Sequence, residues 1–299
     1  ALQYGYPDKI AYYEKPLLKK LRVKTKGGFG GGKPWFESTD LGDLPRTNFG
    51  HHYSHAAAGY YTSDFSDACI VVLDAIGEFN TSTIWIGEGH NIRLKYKQNY
   101  PVSFGLFYSA FTKLIGLMPN QEEYIMMGMA AYGDWTRYYK EIDEYFPKYN
   151  RQKYNFHKGI IDWGMEINDQ DRFDIAAAVQ VVYEQRLNGF MRMAKNLTNK
   201  NNIVFMGGCA LNCVANSMLG DYYEKIWIMP CPGDSGSSLG AAALVYGGQL
   251  QFDHAYLGHD IGGPYPVDAV LHSLLDGRIC GVASGKAEFG PRALGNRSL

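Results

Sequence analysis

Two successive units of strand, glycine turn and helix lie in the last third of the chain, and they constrain its fold more than any other sequence feature. In order, they are a buried strand over 202–206, a helix that opens at Gly207-Gly208 and extends through Met218, a strand over 225–229 and a small-residue helix over 237–246. Strands that alternate with helices in this way build the sheet of an α/β protein. The sequence therefore predicts an α/β lobe with a parallel or mixed sheet.

Earlier parts of the chain supply further predicted elements. A short β-branched run over 69–73 and a second run over 83–86 predict a hairpin, and apolar residues at helical spacing predict helices over 104–118 and 174–199. The polar and aromatic segment between these helices fits neither pattern. The run Lys26-Gly-Gly-Phe-Gly-Gly-Gly-Lys33 indicates a flexible loop, because it lacks the preceding strand and following Lys-Ser/Thr pair of a phosphate-binding loop.

A new unit begins near Pro264, where 267–275 has the pattern of a helix and 279–283 that of a strand. The segment 252–263 is therefore the expected boundary between two domains. A length of 299 residues fits this division, since it exceeds the usual size of a single domain. Because the last residues read as the middle of a loop, we expect the chain to be part of a longer polypeptide.

The composition excludes some classes of function. Lys and Arg total 29 against 30 Asp and Glu, so the net charge of −1 provides no field that would attract nucleic acid or an anionic membrane. No apolar run approaches the roughly 18 residues that span a bilayer. Five cysteines, an odd number in mostly apolar settings, indicate reduced, buried thiols. We therefore expect a cytoplasmic enzyme without a membrane span.

Three of the eight histidines fall within His51-His-Tyr-Ser-His55. On a helix, His51 and His55 share one face and can bind a single metal ion, although further ligands must then come from distant carboxylates. The alternative is a polar helix end at which the histidines only cap or pack. Asp74 ends a buried strand and Asp234 lies in a glycine turn at the start of a helix, positions at which a carboxylate can hold a cation, although each taken alone is better explained as a turn or N-cap residue.

The glycine turns themselves favour a nucleotide. Gly207 and Gly208 follow a strand and open a helix, so the backbone can approach a ligand closely there. The small residues around Asp234 leave backbone amides open to an anion in the same way. Because the two turns are one strand-helix unit apart, the sequence predicts a nucleotide between two loops at one edge of the sheet.

The last fifteen residues have the composition of an anion-binding loop. Arg292 and Arg297 lie among glycines, an asparagine and a serine, a combination that lets a loop wrap around a phosphate or carboxylate with bidentate donors.

Six motifs in this order resemble the O-carbamoyltransferases of the nodulation and antibiotic-tailoring family. They are His51-His-Tyr-Ser-His55-Ala, Leu73-Asp-Ala-Ile-Gly-Glu78, Met127-Gly-Met-Ala-Ala-Tyr-Gly133, Gly207-Gly-Cys-Ala-Leu-Asn212, Pro232-Gly-Asp-Ser-Gly236 and Glu288-Phe-Gly-Pro-Arg-Ala-Leu-Gly-Asn-Arg-Ser298. The resemblance implies an actin-like ATPase (ASKHA) fold over 1–258, related to the tRNA threonylcarbamoyl transferases. It also implies that 264–299 begins an α/β domain like the threonylcarbamoyl-adenylate synthases, which would activate carbamoyl phosphate.

The same resemblance implies the reaction and its participants. Carbamoyl phosphate and ATP would form a carbamoyl-adenylate, whose carbamoyl group passes to a hydroxyl of a small acceptor such as a sugar, an antibiotic or a nucleoside-like compound. His51, His55, Asp74 and Asp234 would hold a divalent metal, Fe(II) or alternatively Mg, that grips the nucleotide phosphates. The implied nucleotide-binding residues are Gly77, Gly207, Gly208, Asn212, Gly233, Ser235 and Gly236. Arg292 and Arg297, with Asn296 and Ser298, would bind carbamoyl phosphate, and His52 would carry a proton.

Two departures from the family pattern leave alternatives open. The Gly-x-Ser and His-Asp-Ser-Ala pattern with which the family opens has no equivalent here, and Ile125 stands where relatives often have a lysine. One alternative is an enzyme like the tRNA threonylcarbamoyl transferases, which would not need the terminal arginine loop. Another is a catalytically inactive actin-like nucleotide-binding protein. The oligomeric state cannot be read from the sequence.

Overall fold

The computed structural model describes residues 5–26, 43–146 and 156–299. The strands described are β1 (Ile10–Tyr12), β2 (Arg46–Asn48), β3 (Asp67–Leu73), β4 (Asn80–Glu88), β5 (Asn91–Asn99), β6 (Asn202–Met206), β7 (Lys225–Trp227), β8 (Val282–Ala283) and β9 (Arg297–Ser298). The helices are α1 (Pro16–Lys26), α2 (His51–Thr62), α3 (Phe104–Leu114), α4 (Glu123–Met129), α5 (Tyr139–Tyr145), α6 (Asp169–Thr198), α7 (Cys213–Asn216), α8 (Asp234–Tyr246) and α9 (Val267–Leu275). The glycine-rich run predicted as a flexible loop lies outside the described residues, apart from Lys26 at the end of α1.

A five-stranded sheet with the order β5-β4-β3-β6-β7 forms the centre of the molecule. The pairs β5-β4 and β4-β3 are antiparallel, whereas β6 lies parallel to both β3 and β7. The predicted α/β class and mixed sheet are therefore confirmed. So is the predicted hairpin, which is the antiparallel pair of β3 and β4.

Both faces of the sheet are covered by helices. Along β3, Val71 and Leu73 belong to an apolar cluster that contains the buried faces of α3 and α6. The alternate residues Ile70 and Val72 belong to a second cluster with α2 and α8. Because successive side chains of a strand point to opposite faces, a strand buried on both sides reads as a continuous apolar run, as β3 does.

The helices α2 and α8 approach each other closely at a glycine. A Cβ atom on Gly240 would lie 1.9 Å from the carbonyl oxygen of Ser54, so only glycine fits at this crossing. Gly59 permits a similar approach of α2 to β6, where a Cβ atom would lie 2.5 Å from side-chain carbons of Val204 and Met206. These contacts bring the first turns of α2 and α8 together at the end of β3.

Several predicted boundaries need correction. The helix expected over 104–118 ends at Leu114, and Gly116 follows with a φ of 85°. The helix expected to start at 174 begins at Asp169, because Asn168 and Asp171 form a capping box there. The single helix expected through Met218 is wrong. That stretch consists of α7 between two 3₁₀ segments, and the side chain of Asn212 caps α7 by accepting a hydrogen bond from the Ala215 amide.

The segment after the central lobe is small and exposed. The helix α9 coincides with the predicted 267–275, but the strand predicted over 279–283 is reduced to Val282–Ala283, which pairs with β9. No residue of α9 is buried.

Among the described helices, none is both long enough and apolar enough to cross a membrane. All five cysteines are unpaired, but the expectation that they are buried holds only for Cys69, Cys209 and Cys231, since Cys213 is exposed and Cys280 half-buried.

Candidate functional site

The first turn of α2 carries the histidines, and a distant carboxylate holds that turn in place. The residue before the helix, Gly50, has no side chain to cap it. Glu78, which is 6% exposed, supplies the missing acceptor, since both of its carboxylate oxygens lie within 3.2 Å of the His51 amide nitrogen. A Cβ atom on Gly77 would lie 3.0 Å from the His51 side chain, so this turn packs directly against the ring.

Four side chains from three elements converge at this point. His51 Nε2 lies 2.9 Å from Asp74 Oδ2, 3.1 Å from His55 Nε2 and 3.3 Å from Asp234 Oδ1. His55 Nε2 lies 3.4 Å from Asp74 Oδ2 and 3.3 Å from Asp234 Oδ1. These four ligand atoms lie within 4.8 Å of one another. The two histidines are fully buried, whereas the Asp234 side chain is 57% exposed.

Two hydrogen bonds and one ion-pair contact on the outer atoms orient these side chains toward one another, and His51 Nδ1, the atom of the ion-pair contact, has no aligned hydrogen bond among the described residues. Asp74 Oδ1 accepts from the Ala75 amide at 2.8 Å, so Oδ2 is left for the histidines. The Ser237 hydroxyl lies 3.0 Å from His55 Nδ1. Glu14 Oε1 lies 3.3 Å from His51 Nδ1. Partners of this kind on the far side of each ring are typical of histidines that bind metals.

The charges of the cluster are strongly coupled. Burial lowers the pKa of His51, but its contacts with Asp234, Asp74 and Glu14 outweigh burial and raise that pKa well above the ordinary value. Burial raises the pKa of Asp74, but its hydrogen bonds with His51 and His55 outweigh burial and lower that pKa well below the ordinary value. The same balance lowers the pKa of Asp234 to about 2. Both carboxylates are therefore ionised and the imidazolium form of His51 is favoured in the metal-free cluster, so a cation that binds there displaces protons from the histidines.

This donor set fits a divalent cation. Two imidazole nitrogens and two carboxylate oxygens point at one small volume, hydrogen bonds hold the outer atoms of His55 and Asp74, and the exposed Asp234 leaves that volume open on one side. Mixed nitrogen and oxygen ligands with an open side suit first-row divalent metals and, less closely, Mg. The buried group could therefore hold a metal.

The glycine turn after β6 brings the backbone to the cluster. Gly207 has a φ of 91°, and a Cβ atom there would lie 2.0 Å from the Leu73 carbonyl oxygen, so no other residue fits. The turn places the Gly208 amide 3.4 Å from Asp74 Oδ1. At the second turn, a Cβ atom on Gly236 would lie 2.0 Å from the Cys231 carbonyl oxygen. Both turns therefore need glycine for close packing of the backbone.

A cavity of about 630 Å³ opens from the cluster, a volume typical of small-ligand sites. Asp74 and Asp234 line one end of it, and Gly208, Asn212, Tyr124 and Arg292 are among its other wall residues. The Asn212 side chain is held by a pair of hydrogen bonds with the Gln180 amide. The cavity therefore joins the metal-type cluster, one glycine turn and the terminal loop.

The terminal loop reaches the cavity through one arginine. Arg292 Nη2 donates to the Leu211 carbonyl oxygen at 2.8 Å, and its guanidinium carbon lies 5.8 Å from the centre of the Tyr124 ring. Gly290 lets the loop pack against the turn that precedes α8, since a Cβ atom there would lie 2.2 Å from the Pro230 carbonyl oxygen. The loop thus contacts both glycine turns.

A model of the carbamoyltransferase N-terminus family matches residues 11–243 of the chain. The chain belongs to this family. An uncharacterized protein of Synechocystis sp. is 32% identical over 86% of this chain and 51% of its own length. Nodulation protein NolO of Bradyrhizobium diazoefficiens is 26% identical over 83% of this chain and 52% of its own length. The 3'-hydroxymethylcephem-O-carbamoyltransferase of Streptomyces clavuligerus is 29% identical over 67% and 43%.

The predicted resemblance to the nodulation and antibiotic-tailoring carbamoyltransferases is thereby confirmed. The chain spans about half the length of the curated relatives that it matches.

Only some of the residues predicted for ligands line the cavity of this carbamoyltransferase-family chain. Gly208, Asn212 and Arg292 do, together with Asp74 and Asp234. The remaining predicted nucleotide residues are not among the lining residues: Gly77, Gly207, Gly233, Ser235 and Gly236. Of these, Gly77, Gly207 and Gly236 act by allowing close approach of the backbone, as described above.

The two arginines of the terminal loop do not converge. Arg297 Nε donates to Glu288 Oε2 at 3.0 Å, and Nη2 donates to the carbonyl oxygens of Gly290 and Arg292. Asn296 likewise bonds within the loop, and Ser298 lies in β9. Arg297 therefore stabilises the loop through bonds within it, while Arg292 lines the cavity.

His52 points away from the convergence point. Its Nδ1 lies 2.9 Å from the Thr83 hydroxyl, and its Nε2 is buried without a hydrogen-bond partner among the described residues. Burial and the neighbouring His51 hold its pKa well below the ordinary value, so the ring is neutral. Its role as a proton carrier stays a prediction.

The sequence analysis did not find two carboxylates next to the histidines. Glu78 stands inside a motif quoted above, but no spacing rule links it to an amide of α2. Glu14 immediately precedes Lys15-Pro16 and reads as an ordinary residue at a helix start. Neither residue carries a local signal, because both act across the fold.

Proposed function

We propose that this chain provides the transfer site of an ATP-dependent O-carbamoyltransferase. Carbamoyl phosphate, water and ATP give a carbamoyl-adenylate, phosphate and pyrophosphate. The carbamoyl group then passes to a hydroxyl of a small acceptor such as a sugar, an antibiotic or a nucleoside-like compound. One observation carries the proposal, namely that the cluster of His51, His55, Asp74 and Asp234 opens into a ligand-sized cavity. The relationship to the cephem O-carbamoyltransferase supports it.

The proposed roles follow from position. The four residues of the cluster would hold Fe(II), or alternatively Mg, which supplies positive charge that neutralises phosphate oxygens and polarises the bond to the leaving group. The amide of Gly208 and the side chain of Asn212 would bind the nucleoside part in the cavity. Arg292 would contact the phosphate or the carbamoyl oxygen with the arm that does not bond Leu211.

The transfer step balances without a further reactant. The acceptor oxygen bonds to the carbamoyl carbon while the bond from that carbon to the phosphate oxygen breaks, and AMP leaves with the electron pair. The hydroxyl proton passes to solvent as this bond forms.

The proposal includes a division of the protein into two parts. Residues 1–258 would form the actin-like (ASKHA) transfer domain, and 264–299 would begin the domain that activates carbamoyl phosphate. The three-layer lobe with a mixed sheet supports the first assignment. The absence of buried residues from α9 supports the second, because the apolar face of an amphipathic helix is normally packed against other chain.

The test uses the full-length protein. Metal content, ATP binding and mass spectrometry of hydroxyl compounds incubated with ATP and carbamoyl phosphate should reveal a bound metal, nucleotide affinity and a carbamoyl adduct. His51→Ala and Asp234→Ala should each lower metal content, whereas His254→Ala, an exposed histidine elsewhere, should not. Full metal occupancy in both cluster variants would mean that the ligands lie elsewhere. A protein with neither metal nor ATP affinity would refute both the O-carbamoyltransferase and the threonylcarbamoyl transferase-like alternatives.

A further inference from the structure

The carboxylate of Glu14 faces the metal-type cluster from the N-terminal segment. Its side chain is 5% exposed, and Oε1 lies 3.3 Å from His51 Nδ1, on the side of the ring opposite Asp74 and Asp234. Both carboxylate oxygens also accept from Lys19 Nζ, at 2.6 and 2.7 Å. Glu14 therefore faces His51 as the anionic partner of an ion pair with Lys19.

A second buried carboxylate fixes the position of Glu14. Glu78 Oε1 accepts from the backbone amide of Lys15 at 2.8 Å and from that of His51 at 3.1 Å. One oxygen therefore ties the residue after Glu14 to the first residue of α2. This link keeps the Glu14 carboxylate next to the His51 ring.

The chemistry of imidazole gives this contact a consequence. A neutral histidine has one N–H and one lone pair, and the group beside one nitrogen decides which form is present. An ionised carboxylate can only accept, so it keeps the proton on Nδ1 and leaves the Nε2 lone pair facing outward. The Ser237 hydroxyl beside His55 can donate or accept, so it does not impose this choice.

We propose that Glu14 is the positioning residue of His51. It holds the ring orientation and the Nε2 tautomer that a divalent cation requires, and Glu78 anchors it to α2. The inference rests on the metal site of the proposed function. It predicts that the loss of the Glu14 charge weakens metal binding while the four ligands remain in place.

The experiment uses the full-length protein and Co(II) as the probe. Glu14→Gln keeps the shape of the side chain but can donate as well as accept, so the affinity for Co(II) should fall about 10- to 100-fold and the visible absorption of bound Co(II) should change. Glu14→Asp keeps the charge and should lie closer to wild type. Glu141→Gln, the same substitution at an exposed position on α5, is the matched control and should keep the wild-type affinity.

The outcomes separate the two proposals. Wild-type protein that binds no Co(II) would overturn the metal site itself. Wild-type binding together with an unchanged affinity and spectrum in Glu14→Gln would overturn the role of Glu14 alone. Equal losses in Glu14→Gln and Glu14→Asp would overturn the role of the charge. Circular dichroism and thermal melting of the metal-free variants check that each is folded.

Discussion

Replacement of Gly240 by alanine tests whether the spacing of α2 and α8 determines metal binding. The new methyl group would lie 1.9 Å from the Ser54 carbonyl oxygen, and carbon atoms at this position essentially never come closer than 3.0 Å to a neighbour. The helices must therefore separate by about 1.1 Å. Asp234 is six residues away on the same helix, about 9 Å along its axis, and moves with it.

The expected effect is large for metal binding and moderate for stability. Ligand distances in metal sites stay within about 0.2 Å of their usual values, so a shift of this size withdraws Asp234 from His51 and His55. We expect metal affinity to fall by at least about tenfold, as for variants that disturb ligand orientation. Overpacking of the helix contact should lower the free energy of unfolding by about 1–3 kcal/mol.

The assay is Co(II) titration of full-length protein, combined with thermal unfolding with and without metal. Gly189→Ala is the matched control, because this glycine lies in α6 with no atom within 4 Å of the new methyl group. Alanine there should stabilise the helix by up to about 1 kcal/mol and leave metal affinity unchanged. A folded Gly240→Ala protein with the wild-type affinity would refute the reasoning, since it would mean that α8 need not stay close to α2.

Two further predictions concern charged groups. Arg292→Ala should lower the carbamoylation rate of the full-length enzyme about 10- to 100-fold. Arg297→Ala should mainly lower the melting temperature, because the Arg297 guanidinium bonds Glu288 within the loop. Equal losses of rate in the two variants would contradict this difference. Burial raises the pKa of Asp174, but hydrogen bonds from a backbone amide and from Arg137 outweigh burial and lower that pKa. The ionised side chain therefore stabilises the fold above about pH 4, and this stabilisation decreases as the pH falls further. Urea unfolding of wild type and Asp174→Asn should therefore differ at pH 6 and converge in acid; a constant difference would argue against this role.

Local patterns predicted the elements that carry the site. The apolar run of β3, the helical spacing of His51 and His55 and the strand over 202–206 all follow from the periods of strands and helices. The edge strand β5 was missed, because its sequence is polar and lysine-rich and leaves most of its side chains in solvent. The helix predicted through Met218 was wrong because apolar spacing does not reveal that Asn212 begins a separate turn there.

The pairing of distant groups was harder to predict. Asp74 and Asp234 were proposed as ligands through resemblance to a family, and the convergence of their oxygens with the histidines depends on how α8 packs on α2. Arg292 and Arg297 have the same sequence signal, yet one reaches the cavity and the other bonds Glu288. The difference arises from the path of the loop, because Gly290 allows the loop backbone to pack against the Pro230 carbonyl group.

The sequence by itself determined the α/β class, the histidine pair on one helix face and the two glycine turns, because these depend on residues close together in the chain. Only the tertiary structure decided that Glu14 and Glu78 reach the same histidine from different elements and that a cavity joins the cluster to Arg292. Such contacts join residues far apart in sequence, and no local period encodes the relative placement of packed helices and strands.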